Sequence, residues 1–149
     1  MQTRSCFFPI AVVLTLAVQV GCGGTKGGPP TVEVTGTVTM NDSPAEGATV
    51  LFSPEVGTGD GRLASQATSD AAGRFKLSTH IGGGNYKSGI VPGKYVVTVV
   101  KLENTAAKNV YTAPKNLLPP KYADPKSTPF KVDVVAGQAN DFPLAVKIQ

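Results

Sequence analysis

An all-β domain of two packed antiparallel sheets is the fold class that three features of this chain predict. Apolar residues recur at every second position in seven separate runs between Val32 and Ile148, which is the period of half-buried strands. Between the runs lie clusters of Gly, Pro, Asn and Asp, the residues that punctuate turns. The composition has no Trp, holds 17 Gly and 12 Pro among 149 residues and is rich in Val and Thr, a mix that favours short strands over helices. Such a length predicts one domain with one core, large enough to bury about two-thirds of the surface its unfolded chain exposes.

Ahead of that domain, Arg4 precedes the apolar run Phe7 to Val18, and Gln19-Val-Gly-Cys22 follows it. This is the order of a charged segment, a hydrophobic segment of signal-peptide length and a small residue before a cut. The run is too short to be read as a membrane span. Val20-Gly21-Cys22 resembles the end of a bacterial lipobox, whose cysteine is acylated and becomes the new first residue. Gln19 stands where such sequences usually carry Leu or a similar apolar residue, and the alternative is an ordinary secretory signal cut nearby. Residues 1–21 are therefore read as a lipoprotein signal peptide, with Cys22 as the lipidation site. Residues 22–31 form a Gly/Pro-rich tether, on the order of 15 Å across by random-coil scaling, and residues 32–149 the β-domain. Each buried methylene of an acyl chain contributes about 0.8 kcal/mol, so several chains would hold the protein on a membrane.

The first strand runs from Val32, with Val34, Gly36, Val38 and Met40 on one face and Glu33, Thr35, Thr37 and Thr39 on the other. Asn41-Asp-Ser-Pro44 is a turn, and Ala48, Val50 and Phe52 resume the inward set, which predicts a hairpin between the first two strands. Residues 54–62 read as a loop, and Leu63 to Thr68 as a weaker strand. Asp70 and Gly73 occupy the first and fourth positions of a type I turn, after which Phe75 and Leu77 complete a second hairpin. Residues 80–90 are Gly-rich and polar and read as a mobile loop. Beyond Pro92-Gly93, Tyr95 to Leu102 is apolar on both faces, so this strand is expected at the centre of a sheet. Prolines at 114, 119, 120, 125 and 129 forbid regular structure over 103–129, where Leu117, Leu118 and Tyr122 are the expected anchors. Phe130, Val132 and Val134 form the sixth run. Phe142, Leu144, Val146 and Ile148 form the seventh, with Pro143 placing that strand at an edge or a bulge.

Gly36-Thr-Val38, Gly47-Ala-Thr-Val-Leu-Phe52, Thr68-Ser-Asp-Ala-Ala-Gly-Arg-Phe75, Pro92-Gly-Lys-Tyr-Val-Val-Thr-Val99 and Pro120-Lys-Tyr-Ala-Asp124 together resemble the small bacterial lipoproteins with a carboxypeptidase regulatory-like domain. The resemblance spans nearly all of 32–148. It implies a seven-stranded, Greek-key antiparallel β-sandwich of the transthyretin-like (prealbumin-type, Ig-like) kind, exported and usually without an assigned biochemical role. Its motifs are turns and core positions, so they speak for the fold rather than for an activity.

Chemistry is sparse. The formal charge of +4 is spread among carboxylates with no basic stripe, which argues against nucleic acid as a partner. Both cysteines, Cys6 and Cys22, precede the domain, so it carries no disulfide and no Cys-based metal site. His80 is the single histidine and cannot complete the multi-histidine sites of related sandwich enzymes. The run Gly82-Gly-Gly-Asn-Tyr-Lys-Ser88 lacks the glycine before Lys87 and the following helix of a phosphate-binding loop. Asp60, between Gly59 and Gly61, has no acidic neighbours spaced for calcium. Asp70 is explained by turn chemistry. No Gly-x-Ser-x-Gly elbow is present.

The expected function is that of a non-catalytic envelope module without a cofactor or metal. It would lie in the periplasm or on the outer surface, anchored through Cys22, or be secreted if Cys22 is not acylated. A protein or polysaccharide would be its partner. The alternative is a carbohydrate-binding module with Tyr86, Tyr95, Tyr111 or Tyr122 as stacking platforms, although the patterns around Tyr95 and Tyr122 place those two in the core.

Overall fold

Strict alternation makes the first strand. In β1 (Val34–Met40), Val34, Gly36 and Val38 are buried while the threonines between them are half-buried. The computed structural model describes residues 29–55, 62–103 and 113–148. The signal-like segment, Cys6, Cys22, Asp60, Tyr111, most of the 54–62 loop and 104–112 lie outside these residues. All seven runs form strands: β1, β3 (Thr49–Pro54), β4 (Ser65–Thr68), β5 (Arg74–Lys76), β8 (Gly93–Val100), β9 (Lys131–Val134) and β10 (Asn140–Val146). Three shorter ones join them, β2 (Ser43–Pro44), β6 (Ser78–His80) and β7 (Tyr86–Ser88), so the described residues hold ten strands rather than seven. The only helical turn among them is a 3-10 turn at Pro120–Tyr122.

The strands form two sheets. In the smaller, β1 is central: β10 pairs along one side, and β2 and β5 share the other. The larger has the order β7-β6-β4-β3-β8-β9 and is antiparallel throughout. Both sheets contribute to one core, giving a β-sandwich-like all-β fold. Phe52 of β3 lies at its middle, with ring centroids 6.2 Å from Phe75 of β5, 6.2 Å from Phe142 of β10 and 6.3 Å from Tyr95 of β8.

Gly36 is required by this packing. A Cβ there would strike the Phe75 ring and the carbonyl oxygen of Phe142, the two neighbours that flank it across the ladders. Gly73, at φ 73°, plays a similar part at the junction of β2 and β5, where the Val38 carbonyl closes against it. Val38 N–H donates to the Gly73 carbonyl (2.7 Å) and Ala45 N–H donates to the Val38 carbonyl (2.9 Å).

Several pairings differ from the sequence reading. β1 and β10 run parallel, in register from Val34↔Asn140 to Met40↔Val146, because β10 enters at the end where β1 begins. The Asn41-Asp42 turn, with φ of 47° and 65°, closes a hairpin only as far as β2; the chain then crosses to place β3 in the other sheet. The Asp70 turn forms as read, with Gly73 N–H donating to the Asp70 carbonyl (2.8 Å), yet β4 and β5 on either side of it belong to different sheets. The 80–90 segment is largely a hairpin: β6 and β7 pair around Gly82-Gly-Gly84, all at positive φ, with Ile81 N–H donating to the Asn85 carbonyl (3.0 Å). Leu102, Leu117 and Ile148, expected inside, are exposed: Leu102 and Ile148 lie beyond the ends of β8 and β10, Leu102 in an isolated bridge with Asn116, and Leu117 lies in the proline-rich excursion. Tyr95, Leu118 and Tyr122 are buried, β8 lies between β3 and β9, and β10 with Pro143 is an edge strand.

Candidate functional site: the outer face of the β6–β7 hairpin

Alternation along β6 and β4 turns Thr79 and Ser65 inward, where their hydroxyls meet at 2.6 Å. Thr79 Oγ1 donates to the Gly89 carbonyl (2.7 Å), so Ser65 is the donor to Thr79. The same alternation turns Ser78, His80 and Gln66 outward. Ladder register then lines up Leu51, Gln66, Ser78 and Ser88 across four strands, and sets His80 opposite Tyr86. The two rings lie 5.0 Å apart at an interplanar angle of 60°, and Tyr86 is 66% exposed, the most exposed large apolar side chain among the described residues. Together with Leu51, Ala64, Gln66 and Ser78 they line a shallow hollow of about 330 Å³.

The hollow contains no Lys, Arg, Asp or Glu. Among the described residues none of the Gln66, Ser78, His80 and Tyr86 side chains has a hydrogen-bond partner, so their donors and acceptors face solvent. Ser78 and His80 share the hollow without a hydrogen bond between them. An aromatic ring beside an imidazole, an amide and a hydroxyl offers a stacking surface with polar groups at its rim. That combination suits recognition of a neutral, hydroxyl-rich ring; it does not assemble an activated nucleophile.

The other predicted residues take structural places. Tyr95 Oη donates to the Val91 carbonyl (2.7 Å), while its ring carries the Arg62 guanidinium 5.4 Å from its centroid. Tyr122 Oη accepts from Lys147 N–H (3.1 Å), and its ring stacks on Phe130 at 5.6 Å. Asp70 Oδ1 accepts from the N–H groups of Ala72 (2.9 Å) and Arg74 (2.8 Å), the turn role assigned to it. Gln66 and Ser78 are additions. Two short polar stretches flanking a Gly-containing connection are a hairpin signal that points to Ser78, His80 and Tyr86; nothing local points to Gln66, which arrives through β4–β6 pairing.

A second depression, about 720 Å³ and mainly apolar, lies at the opposite end of the molecule between Leu117, Leu118, Pro119, Pro120 and Ile148. Among the described residues no group of three or more His, Cys, Asp or Glu is placed to hold a metal ion, and no helix is long and apolar enough to cross a membrane.

Fold and site define an all-β, two-sheet protein with an uncharged aromatic hollow on its larger sheet. No protein-family model, curated protein or solved structure matches the chain.

Proposed function

We propose that this protein is a non-catalytic module of the bacterial cell envelope, held on a membrane by acylated Cys22 and spaced from it by the Gly/Pro-rich stretch. On this reading, the β-sandwich-like fold is a relative of the Greek-key, transthyretin-like sandwiches of carboxypeptidase regulatory-like domains, an assignment supported by the turn and core motifs of 32–148, and its role is structural or the binding of a protein or polymer. The observation that carries this reading is the order of segments. Arg4, the apolar run Phe7 to Val18, Val20-Gly21-Cys22 and Gly23 to Pro30 lead directly into a domain whose core is complete without a disulfide. Mass spectrometry of the protein extracted from membranes tests it. The expected N-terminus is Cys22 carrying acyl groups, and Cys22→Ser moves the protein to the soluble fraction. An unmodified N-terminus at another residue would sink the anchoring.

The second reading, a carbohydrate-binding module, is favoured by the exposure of Tyr86 beside His80 in an uncharged hollow. Retention on insoluble envelope polysaccharides is the assay. Tyr86→Ala lowers affinity at least about tenfold, equivalent to about 1.4 kcal/mol, whereas Tyr95 and Tyr122, being buried, are not the stacking platforms. Equal retention of Tyr86→Ala and the unaltered protein removes this reading.

A further inference from the structure

The chain enters the domain along β7. Val32 and Ile90 exchange backbone hydrogen bonds of 2.9 and 3.0 Å, Thr31 Oγ1 donates to the Ser88 carbonyl (2.8 Å), and Lys87 Nζ donates to the Pro29 carbonyl (2.9 Å). These contacts hold residues 29–32 beside 87–90, next to Tyr86 and the 81–85 turn. Strand directions place further segments at that end of the larger sheet. β3 finishes there and β8 starts there, since Pro54 faces Tyr95; β4 starts there, since Phe52 faces Ser65; and β9 finishes there, since Val134 faces Gly93.

Four exposed large apolar side chains collect at this end: Leu63 (44%), Ile81 (37%), Tyr86 (66%) and Val135 (40%). Continuing the β4–β6 register from Ser65↔Thr79 sets Leu63 opposite Ile81. Leu102, Leu117 and Ile148 are exposed at the other end, so apolar exposure alone does not choose between the two. The point of chain entry does. Cys22 and Pro29 are 29 − 22 = 7 residues apart, and seven residues span at most about 25 Å at full stretch. The eight residues of β8 extend about 26 Å. A lipid on Cys22 thus reaches the bilayer readily from the entry end, and brings the far end to it only with the connection drawn taut along the whole domain.

We propose that the entry end, formed by the 81–85 turn with Leu63, Tyr86 and Val135, is seated on the surface of the phospholipid bilayer, an inference that rests on acylation of Cys22. Tyrosine rings favour the headgroup level, and Gly82-Gly-Gly84 keeps the turn free of side chains that would hold it off the surface. Without Arg4, the processed chain carries 13 Lys and Arg against 10 Asp and Glu, and this net positive charge favours an anionic leaflet. Weak apolar contacts suffice, because a short tether gives the docking end an effective concentration on the order of millimolar. The hollow beside His80 is thereby held close to the membrane and open sideways along it.

The test uses the full, processed protein in vesicles of phosphatidylethanolamine and phosphatidylglycerol. The domain has no cysteine of its own, so a single thiol carries an environment-sensitive dye, at Ile81→Cys or Asn85→Cys for the entry end and at Ala72→Cys for the far end. Nitroxide lipids are expected to quench the first two at least about threefold more strongly than the third. Equal quenching at both ends, or stronger quenching at 72, with Cys22 shown by mass spectrometry to be acylated, overturns the seating alone. An unacylated Cys22 overturns the anchoring and the seating together.

Discussion

Gly36 and Ser69 show how much of the architecture rests on single positions. Gly36 leaves room for the Phe75 ring over the centre of β1, and Gly36→Ala pushes a methyl into a space closed by backbone on one side and a ring on the other. Overpacking of this kind costs about 1–3 kcal/mol, and a lowered midpoint in urea unfolding with an unchanged slope is the expected result. Ser69 is buried and joins two turns. Its Oγ accepts from Ala48 N–H (2.9 Å) and donates to the Ala45 carbonyl, while its own N–H donates to the Ala48 carbonyl (2.9 Å). Ser69→Ala leaves the Ala48 donor without its partner, so a loss of about 1–3 kcal/mol is expected. Ser69→Thr keeps the hydroxyl and recovers part of that loss in the same unfolding measurement. At this scale the sequence was readable wherever a side chain acts on its own backbone, as at Asp70. It was silent at Ser69, whose partners lie more than twenty residues away and carry no local signature.

Among the elements, the β9–β10 connection decides how the smaller sheet closes. Asn140 is buried, with Oδ1 accepting from Val135 N–H (2.9 Å) and Nδ2 donating to the carbonyls of Val135 (3.0 Å) and Gln138 (3.1 Å). This clamp returns the chain at the end where β1 starts, and the parallel ladder follows from it. Asn140→Ala is expected to accelerate amide hydrogen exchange in β10 and along β1, while β3 and β8, joined by a six-residue ladder, keep their protection. Uniform acceleration across both sheets would show instead that the clamp acts on global stability. All seven strands that alternation predicts are present, because half-burial imposes the same period on each. The short β2, β6 and β7 escaped the reading: at two or three residues they are too brief to establish a period. The hollow therefore remained hidden as a unit, although His80 and Tyr86 had each been singled out.

For the molecule as a whole, stability has to come from the shared core and the buried hydroxyl and amide bonds, since the domain contains no cysteine. Its thermal midpoint is expected to be the same with and without a reducing agent, and a shift of several degrees would contradict the assignment of both cysteines to the segment ahead of the domain. Pairing of β1 with β10 joins residues about a hundred positions apart, and loop closure on that scale slows folding into the millisecond-to-second range typical of two-sheet proteins. By itself the sequence determined seven of the ten strands among the described residues, the turn at Asp70 and the inward side of most runs; at Pro92 the chain only bends, and Gly93 already belongs to β8. Alternation and turn chemistry act between neighbours in the chain, so a linear reading finds them. Which strand pairs with which, that the first and last run parallel, and that Tyr86, His80, Gln66 and Ser78 share one outward hollow beside the point of chain entry were decided by tertiary structure. Those arrangements depend on two sheets burying their apolar faces against each other, and many strand orders satisfy the same alternation until that core is closed.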